Sequence, residues 1–179
     1  MFKKSYFIVL ILLVTYPNIL AEKLEKSPIL TDYGPVYAIK YRDTPLPENY
    51  TYKAVFDVTT TASDPMNHSR RLESVARFIN MHALNGVPLD KMKIAVVIHG
   101  KAVKDSLKNE AYQIKYEVDN PNQQMIEKLH QSGVKFYICG QTTEFLGYAK
   151  KDLLAPIEIS LSAMTQLVIL QSEGYALLP

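Results

Sequence analysis

Residues 94–98 read Ile-Ala-Val-Val-Ile, and His99 and Gly100 follow them directly. A continuous apolar run of this length is typical of a strand that is buried on both faces of a parallel sheet. The polar residue and the glycine mark the end of the strand, because such residues punctuate regular structure. Residues 94–98 therefore predict a central strand of an α/β domain.

Strand-like and helix-like segments alternate on both sides of this run. Asp64 followed by Pro65 predicts the start of one helix, and residues 85–86 (Asn-Gly) predict its end. Asn120 followed by Pro121 predicts the start of another helix. The other predicted strands are 53–59, 134–138, 157–159 and 175–178, and the other predicted helices are a short one within 101–119, one over 141–148 and a last one capped by Ser160 or Ser162. This alternation predicts a mostly parallel sheet with helices on both faces.

The first 21 residues have the layout of a cleavable signal peptide. Lys3 and Lys4 precede an apolar run over 6–14, and Ala21 supplies a small residue for cleavage. The run is shorter than the roughly 20 apolar residues that a membrane span requires. We therefore expect an exported, periplasmic protein with no stable span after cleavage, and an uncleaved membrane anchor is the alternative.

The mature chain is expected to be electrically neutral. The full sequence has 20 basic and 18 acidic residues, and removal of Lys3 and Lys4 leaves 18 of each. A neutral chain offers no electrostatic basis for binding nucleic acid. Residues 22–51, rich in proline and tyrosine, predict an extended N-terminal arm that packs on the domain or on a neighbouring subunit.

Two strand ends carry residues with reactive side chains. His99 and Gly100 end one strand, and Cys139 and Gly140 end another. Ligands of open α/β sheets bind outside these carboxyl ends. Cys139 is the only cysteine and precedes a predicted helix, whose N-terminus would favour the reactive thiolate. The alternatives are an inert, packed Cys139 and a purely structural His99.

Several common sites are missing from the sequence. It contains no CxxC, HxH or HExxH pattern for a metal, and no GxGxxG, Walker-type or GxSxG motif. We therefore predict neither a metal nor a cofactor.

Five segments together resemble the DsrE/DsrF-like family, in particular its exported, small, stand-alone members. They are IHG (98–100), DNPN (119–122), YICGQ (137–141), LSAMTQL (161–167) and GYAL (174–177). The resemblance covers residues 52–179. It implies a three-layer α/β/α fold with a mainly parallel sheet of about five strands, and a homo-oligomer, trimeric or hexameric.

The resemblance also implies sulfur chemistry, because better-understood members carry sulfur on a cysteine as a persulfide. Cys139 is the candidate sulfur carrier, and His99 could assist proton transfer. The remaining candidates for the site are Gly100, Asn109, Tyr112, Asn120, Gly140 and Gln141. Family members with roles in tRNA thiolation are cytoplasmic, so an exported chain should not share that role.

Three hypotheses about function follow. The first is a periplasmic persulfide carrier or sulfurtransferase-type relay that exchanges sulfur with a donor or acceptor protein through Cys139. The second is an oligomeric module that binds a small ligand in a strand-end pocket without covalent chemistry. The third is a structural oligomer.

Overall fold

Five parallel strands form one sheet in the order β4-β3-β2-β1-β5. A computed structural model describes residues 29–39 and 41–178, so the predicted signal peptide lies outside the described residues. The strands are β1 (Tyr52–Val58), β2 (Met92–Ile98), β3 (Lys135–Cys139), β4 (Ile157–Ser160) and β5 (Ala176–Leu178). The helices are α1 (Arg70–Leu84), α2 (Asn109–Tyr116), α3 (Gln123–Gln131), α4 (Gly140–Leu146) and α5 (Ala163–Ser172), with short 3-10 helices at Leu89–Lys91, Gly100–Ser106 and Lys150–Asp152.

The sheet separates two unequal cores. Alternate residues of each strand face opposite sides of the sheet. One side packs under α1 and α3 and holds most of the large buried side chains, among them Phe56, Ile98 and Phe136. The other side carries small residues such as Ala95 and is covered by α5. The prediction of a three-layer α/β/α fold with a parallel sheet of about five strands is confirmed.

Two predicted helix starts are wrong. Asp64 does not cap α1, because its carboxylate accepts the Met66 N–H at 2.9 Å and so forms a local turn. The helix begins after Ser69, whose hydroxyl accepts the Leu72 N–H at 3.4 Å. Asn120 does not cap α3, since its side-chain amide donates to backbone carbonyls of another loop and the helix begins three residues later at Gln123.

The described part of the N-terminal arm packs on the domain itself. Leu30 and Val36 are buried, and the buried Asn80 of α1 holds the arm. The Asn80 amide donates to the carbonyls of Leu30, Tyr33 and Gly34 at 2.8–3.2 Å, and its oxygen accepts the Leu30 N–H. Residues 22–28 and 40 of the predicted arm lie outside the described residues.

Candidate functional site

At the carboxyl ends of β3 and β4, the chain leaves the sheet toward opposite faces. After β3, the chain passes through α4 to Leu153 and Leu154, which belong to the core under α1 and α3. After β4, the chain enters α5 on the opposite face. Ligands of open α/β sheets bind in the crevice at such a topological switch point. Cys139, opposite Ser160 in the sheet register, ends β3 at this crevice.

The Cys139 thiol lies between the N-termini of two helices. Burial alone would raise the pKa of this thiol, since the side chain is only 6% exposed. The Thr142 hydroxyl and the backbone N–H groups of Ala163, Thr142 and Gln141 outweigh that effect, so the pKa lies below its ordinary value. Donors aimed at the sulfur stabilise the thiolate, which is the nucleophilic form of cysteine.

Gly140 is required by the close approach of the two strand ends. A Cβ atom at this position would lie 2.6 Å from the Ser160 carbonyl oxygen. Gly100 has a different reason, because its φ of +57° is a conformation that side chains disfavour. Gly140 thus lets the strand ends approach closely and Gly100 lets the chain turn after β2, and neither offers a side chain to a ligand.

His99 lies at the same edge of the sheet and is paired with an aspartate. Its Nε2 lies 2.7 Å from Asp57 Oδ1 at the end of β1. The His99 and Asp57 side chains are 30% and 27% exposed, so the pair is open to solvent. A carboxylate can only accept a hydrogen bond, so Nε2 carries the proton in this contact.

Asn109, Tyr112 and Asn120 lie in a separate network of hydrogen bonds, in which Tyr112 and Asn120 are buried and Asn109 is half-buried. Lys104 Nζ donates to Asp105 Oδ1 at 3.2 Å and to the Tyr112 hydroxyl at 2.9 Å, and that hydroxyl donates to the Pro65 carbonyl. The Asn120 amide donates to two backbone carbonyls, at 2.6 and 2.9 Å, and its N–H binds Asn109. The polar groups of Asn109, Tyr112 and Asn120 thus hold loops together, and a role of these residues in binding a ligand stays a prediction.

A large, open cleft of the described residues lies elsewhere. It has a volume of about 1070 Å³ and lies between the loop after β1 and the outer side of α1. Polar residues line it, and neither Cys139 nor His99 is among them. Within the described residues, no group of three or more His, Cys, Asp or Glu side chains is arranged to hold a metal. The thiol at the end of β3 therefore remains the candidate for reactive chemistry, because hydrogen-bond donors surround its sulfur.

The structure adds three residues that sequence reasoning missed. Asp57 could have been noticed, because it is a charged residue near the end of an otherwise apolar strand segment. Thr142 follows Cys139 closely in the sequence, but the direction of its hydroxyl depends on the formation of helix α4. Ala163 acts through its backbone N–H, which gives no signal in a sequence.

Fold and site together define a parallel α/β protein with one stabilised thiol at the switch point of its sheet. The model of the DsrE/DsrF-like family matches residues 53–179. The chain therefore belongs to the DsrE/DsrF-like family, which is associated with sulfur relay.

Two solved structures share the fold. One is a protein of unknown function, MTH1491, from Methanobacterium thermoautotrophicum, with 21% identity and a TM-score of 0.54. The other is the ychN protein from E. coli, with 17% identity and a TM-score of 0.52. Each alignment covers 71% of this chain and 97% of the other chain. No curated protein matches the chain significantly.

Proposed function

We propose that the protein accepts sulfane sulfur on Cys139 and holds it as a persulfide for delivery to an acceptor. The observation that supports this most is the placement of the thiol between the N-termini of α4 and α5, where hydrogen-bond donors lower its pKa. A thiolate attacks sulfane sulfur, whereas a thiol does not. Membership of a family associated with sulfur relay supports the same chemistry.

A single cysteine suits a carrier. Cys139 is the only cysteine of the chain, so the subunit has no second thiol that would displace the bound sulfur by forming an internal disulfide. The persulfide remains until an external acceptor attacks its outer sulfur. The same backbone N–H groups that stabilise the thiolate also suit the persulfide anion, since both place negative charge at the helix N-termini.

The alternative is a module that binds a small anion without covalent chemistry. The N–H groups that donate to the Cys139 sulfur would also suit such a ligand. The two functions are separated by Cys139→Ser, which keeps these N–H groups but removes the nucleophile. A carrier loses all sulfur uptake in this variant, while a binding module keeps its ligand.

Transfer can be tested directly by cyanolysis. Protein treated with a persulfide donor and then freed of it should convert cyanide to thiocyanate, one sulfur atom for each Cys139. In this step cyanide forms a bond to the outer sulfur, the S–S bond breaks, and Cys139 leaves as the thiolate. Thiocyanate from Cys139→Ser equal to that from the wild type would contradict the proposal.

We propose that the protein works in the periplasm after removal of residues 1–21. The basic start, the apolar run over 6–14 and Ala21 support this location. None of the described residues forms a helix that is long and apolar enough to cross a membrane. Sequencing the N-terminus of protein recovered from the periplasmic fraction tests the proposal, and an intact Met1 would contradict it.

We propose further that the protein is a homo-oligomer and that α5 lies in its interface. α5 has no charged residue, and apolar side chains lie on its outward face as well as on the face that covers the sheet. Its exposed apolar side chains and those beside it are Leu161, Met164, Val168 and Ile169, between 45% and 77% exposed. Clusters of this kind mark protein interfaces.

A charge introduced on α5 tests the assembly. Val168→Glu should shift the mass in solution, measured by light scattering, from a trimer or hexamer to a monomer. Ile114→Glu is the matched control, because Ile114 is 87% exposed on α2 on the other side of the sheet. A monomeric wild type, or dissociation by both variants alike, would contradict the proposed interface.

A further inference from the structure

Asp57 and His99 form a pair on the same face of the sheet as the Cys139 thiol. Side chains alternate along a strand, and Val55 and Val97 pack on the α5 side of the sheet. Asp57 and His99 lie two residues after them and therefore face the same side. Cys139 belongs to the same small core. Sulfur uptake by the Cys139 thiolate does not by itself involve Asp57.

The strand register places His99 beside Cys139. Ile98 is paired with Ile138 in neighbouring parallel strands, so His99 and Cys139 follow at the same level. His99 keeps an extended backbone, and its N–H donates to the Val58 carbonyl at 3.0 Å. Neighbouring strands lie about 4.8 Å apart, so the backbones of His99 and Cys139 are close enough for one bound molecule to span both residues.

The hydrogen bond to Asp57 fixes the state of the His99 ring. The bond of 2.7 Å holds the proton on Nε2 and leaves Nδ1 as the acceptor. The Asp57 carboxylate also lies beside the positive charge that the ring carries when Nδ1 takes up a proton. With about a third of each side chain exposed, the pair remains accessible to a bound molecule.

We propose that Asp57 is the positioning residue for His99, which moves a proton between sulfur atoms while Cys139 takes sulfur from an alkyl persulfide. This inference rests on the function proposed above and names the donor class. The pair is suited to a donor that carries a proton on its outer sulfur and releases a basic thiolate.

The step balances without an oxidant or a reductant. The Cys139 thiolate forms a bond to the outer sulfur of R–S–SH, the S–S bond of the donor breaks, and its electron pair leaves on R–S⁻. His99 accepts the proton of the transferred sulfur, so that Cys139 carries S–S⁻. The imidazolium then gives that proton to R–S⁻, which departs as R–SH.

This proton transfer makes loading depend on the basicity of the leaving thiolate. An alkyl thiolate is a strong base and leaves more readily when it receives the proton. An aryl thiolate is a weaker base and leaves without that help. Loss of the His99 proton should therefore slow loading from an alkyl persulfide more than loading from an aryl persulfide.

The test compares initial rates of sulfur loading onto full-length mature protein from these two donors. The variants are Asp57→Asn and His99→Asn. Glu158→Gln is the control, since it removes an exposed carboxylate of β4. With the alkyl donor, we expect the initial rate of loading to fall about 100-fold for His99→Asn and roughly tenfold for Asp57→Asn. With the aryl donor, we expect the rate of either variant to fall about threefold or less.

A second measurement reports on the ring itself. The ¹⁵N resonances of His99 should show a proton on Nε2 in the wild type and a mixture of the two neutral tautomers in Asp57→Asn. Equal rate losses with both donors, or an unchanged tautomer in Asp57→Asn, would overturn the role of Asp57 even though the wild type loads sulfur. Failure of the wild type to load from either donor would instead overturn the proposed function itself.

Discussion

Replacing Ala163 by proline removes one of the hydrogen-bond donors at the Cys139 thiol. Ala163 is the first residue of α5, where proline is tolerated because the N–H there has no partner within the helix. Ser162 before it has an extended backbone, with φ of −156° and ψ of 162°, as proline requires of its predecessor. The change should therefore act on the thiol more than on the fold.

The size of the effect follows from the energy of one hydrogen bond. A hydrogen bond to a charged group contributes about 1.5–3 kcal/mol, and the lower end suits a diffuse sulfur anion. A loss of about 1.4 kcal/mol lowers the acid dissociation constant of Cys139 roughly tenfold. The remaining thiolate becomes about threefold more reactive, because nucleophilicity rises with basicity.

The assay is alkylation of the native protein across pH. At pH values below the thiol pKa, Ala163→Pro should react about threefold more slowly than the wild type, and at alkaline pH about threefold faster. Arg70→Pro is the matched control, since Arg70 holds the first position of α1 after its Ser69 cap. Superimposable rate profiles for Ala163→Pro and the wild type would refute the account of the lowered pKa.

Three further changes test contacts that hold the fold together. Asn80→Ala should lower the free energy of unfolding in urea by about 2–3 kcal/mol, because it frees the N-terminal arm, and an unchanged value would disprove the anchoring. Gly140→Ala should lower it by about 1–3 kcal/mol, because the new methyl group would meet the Ser160 carbonyl at 2.6 Å, and full stability would mean that the strand ends can separate. Lys104→Met should destabilise the protein by about 3 kcal/mol at pH 7, because it leaves the Asp105 carboxylate buried and unpaired, and Asp105→Asn in the same chain should restore most of the loss.

The pH dependence of stability provides a test of the same network. Burial raises the pKa of Asp105, against the opposing hydrogen bond from Thr61 and charge of Lys104. The folded state thus binds this proton more tightly than the unfolded state. The stability that Asp105 contributes is full below its ordinary pKa of 3.8 and is lost as the pH rises through the raised value. Asp105→Asn should remove this slope, and a slope that persists would point to another group.

The sequence was sufficient to predict the parallel sheet, because its strands are simple to recognise. The run at 94–98 is apolar on both faces, as only a central parallel strand requires, and it lies within β2. Helix starts were harder, because Asp64 and Asn120 both have side chains that suit a cap. Asp64 instead closes a local turn with the Met66 N–H, an alternative that the same short motif allows, whereas Asn120 bonds the carbonyls of Asp105 and Leu107, which the local pattern around it does not contain.

The candidate site was only partly predictable for the same reason. Cys139 and His99 could be placed at strand ends from the positions of the strands alone. The sequence did not determine the strand order. It therefore could not show that Cys139 and His99 share a face of the sheet, or that β1 lies between β5 and β2. Asp57 lies 42 residues before His99, so their pairing required the β1–β2 register.

Sulfur loading on Cys139 is the most direct test of the proposed function. Mature protein is incubated with excess polysulfide, freed of it and measured by intact mass, with Cys139→Ser as the control. We predict that the wild type gains a single sulfur atom and that the control gains none. A wild type without added sulfur, whose thiol is alkylated only after unfolding, would contradict the account and leave Cys139 as a packed side chain.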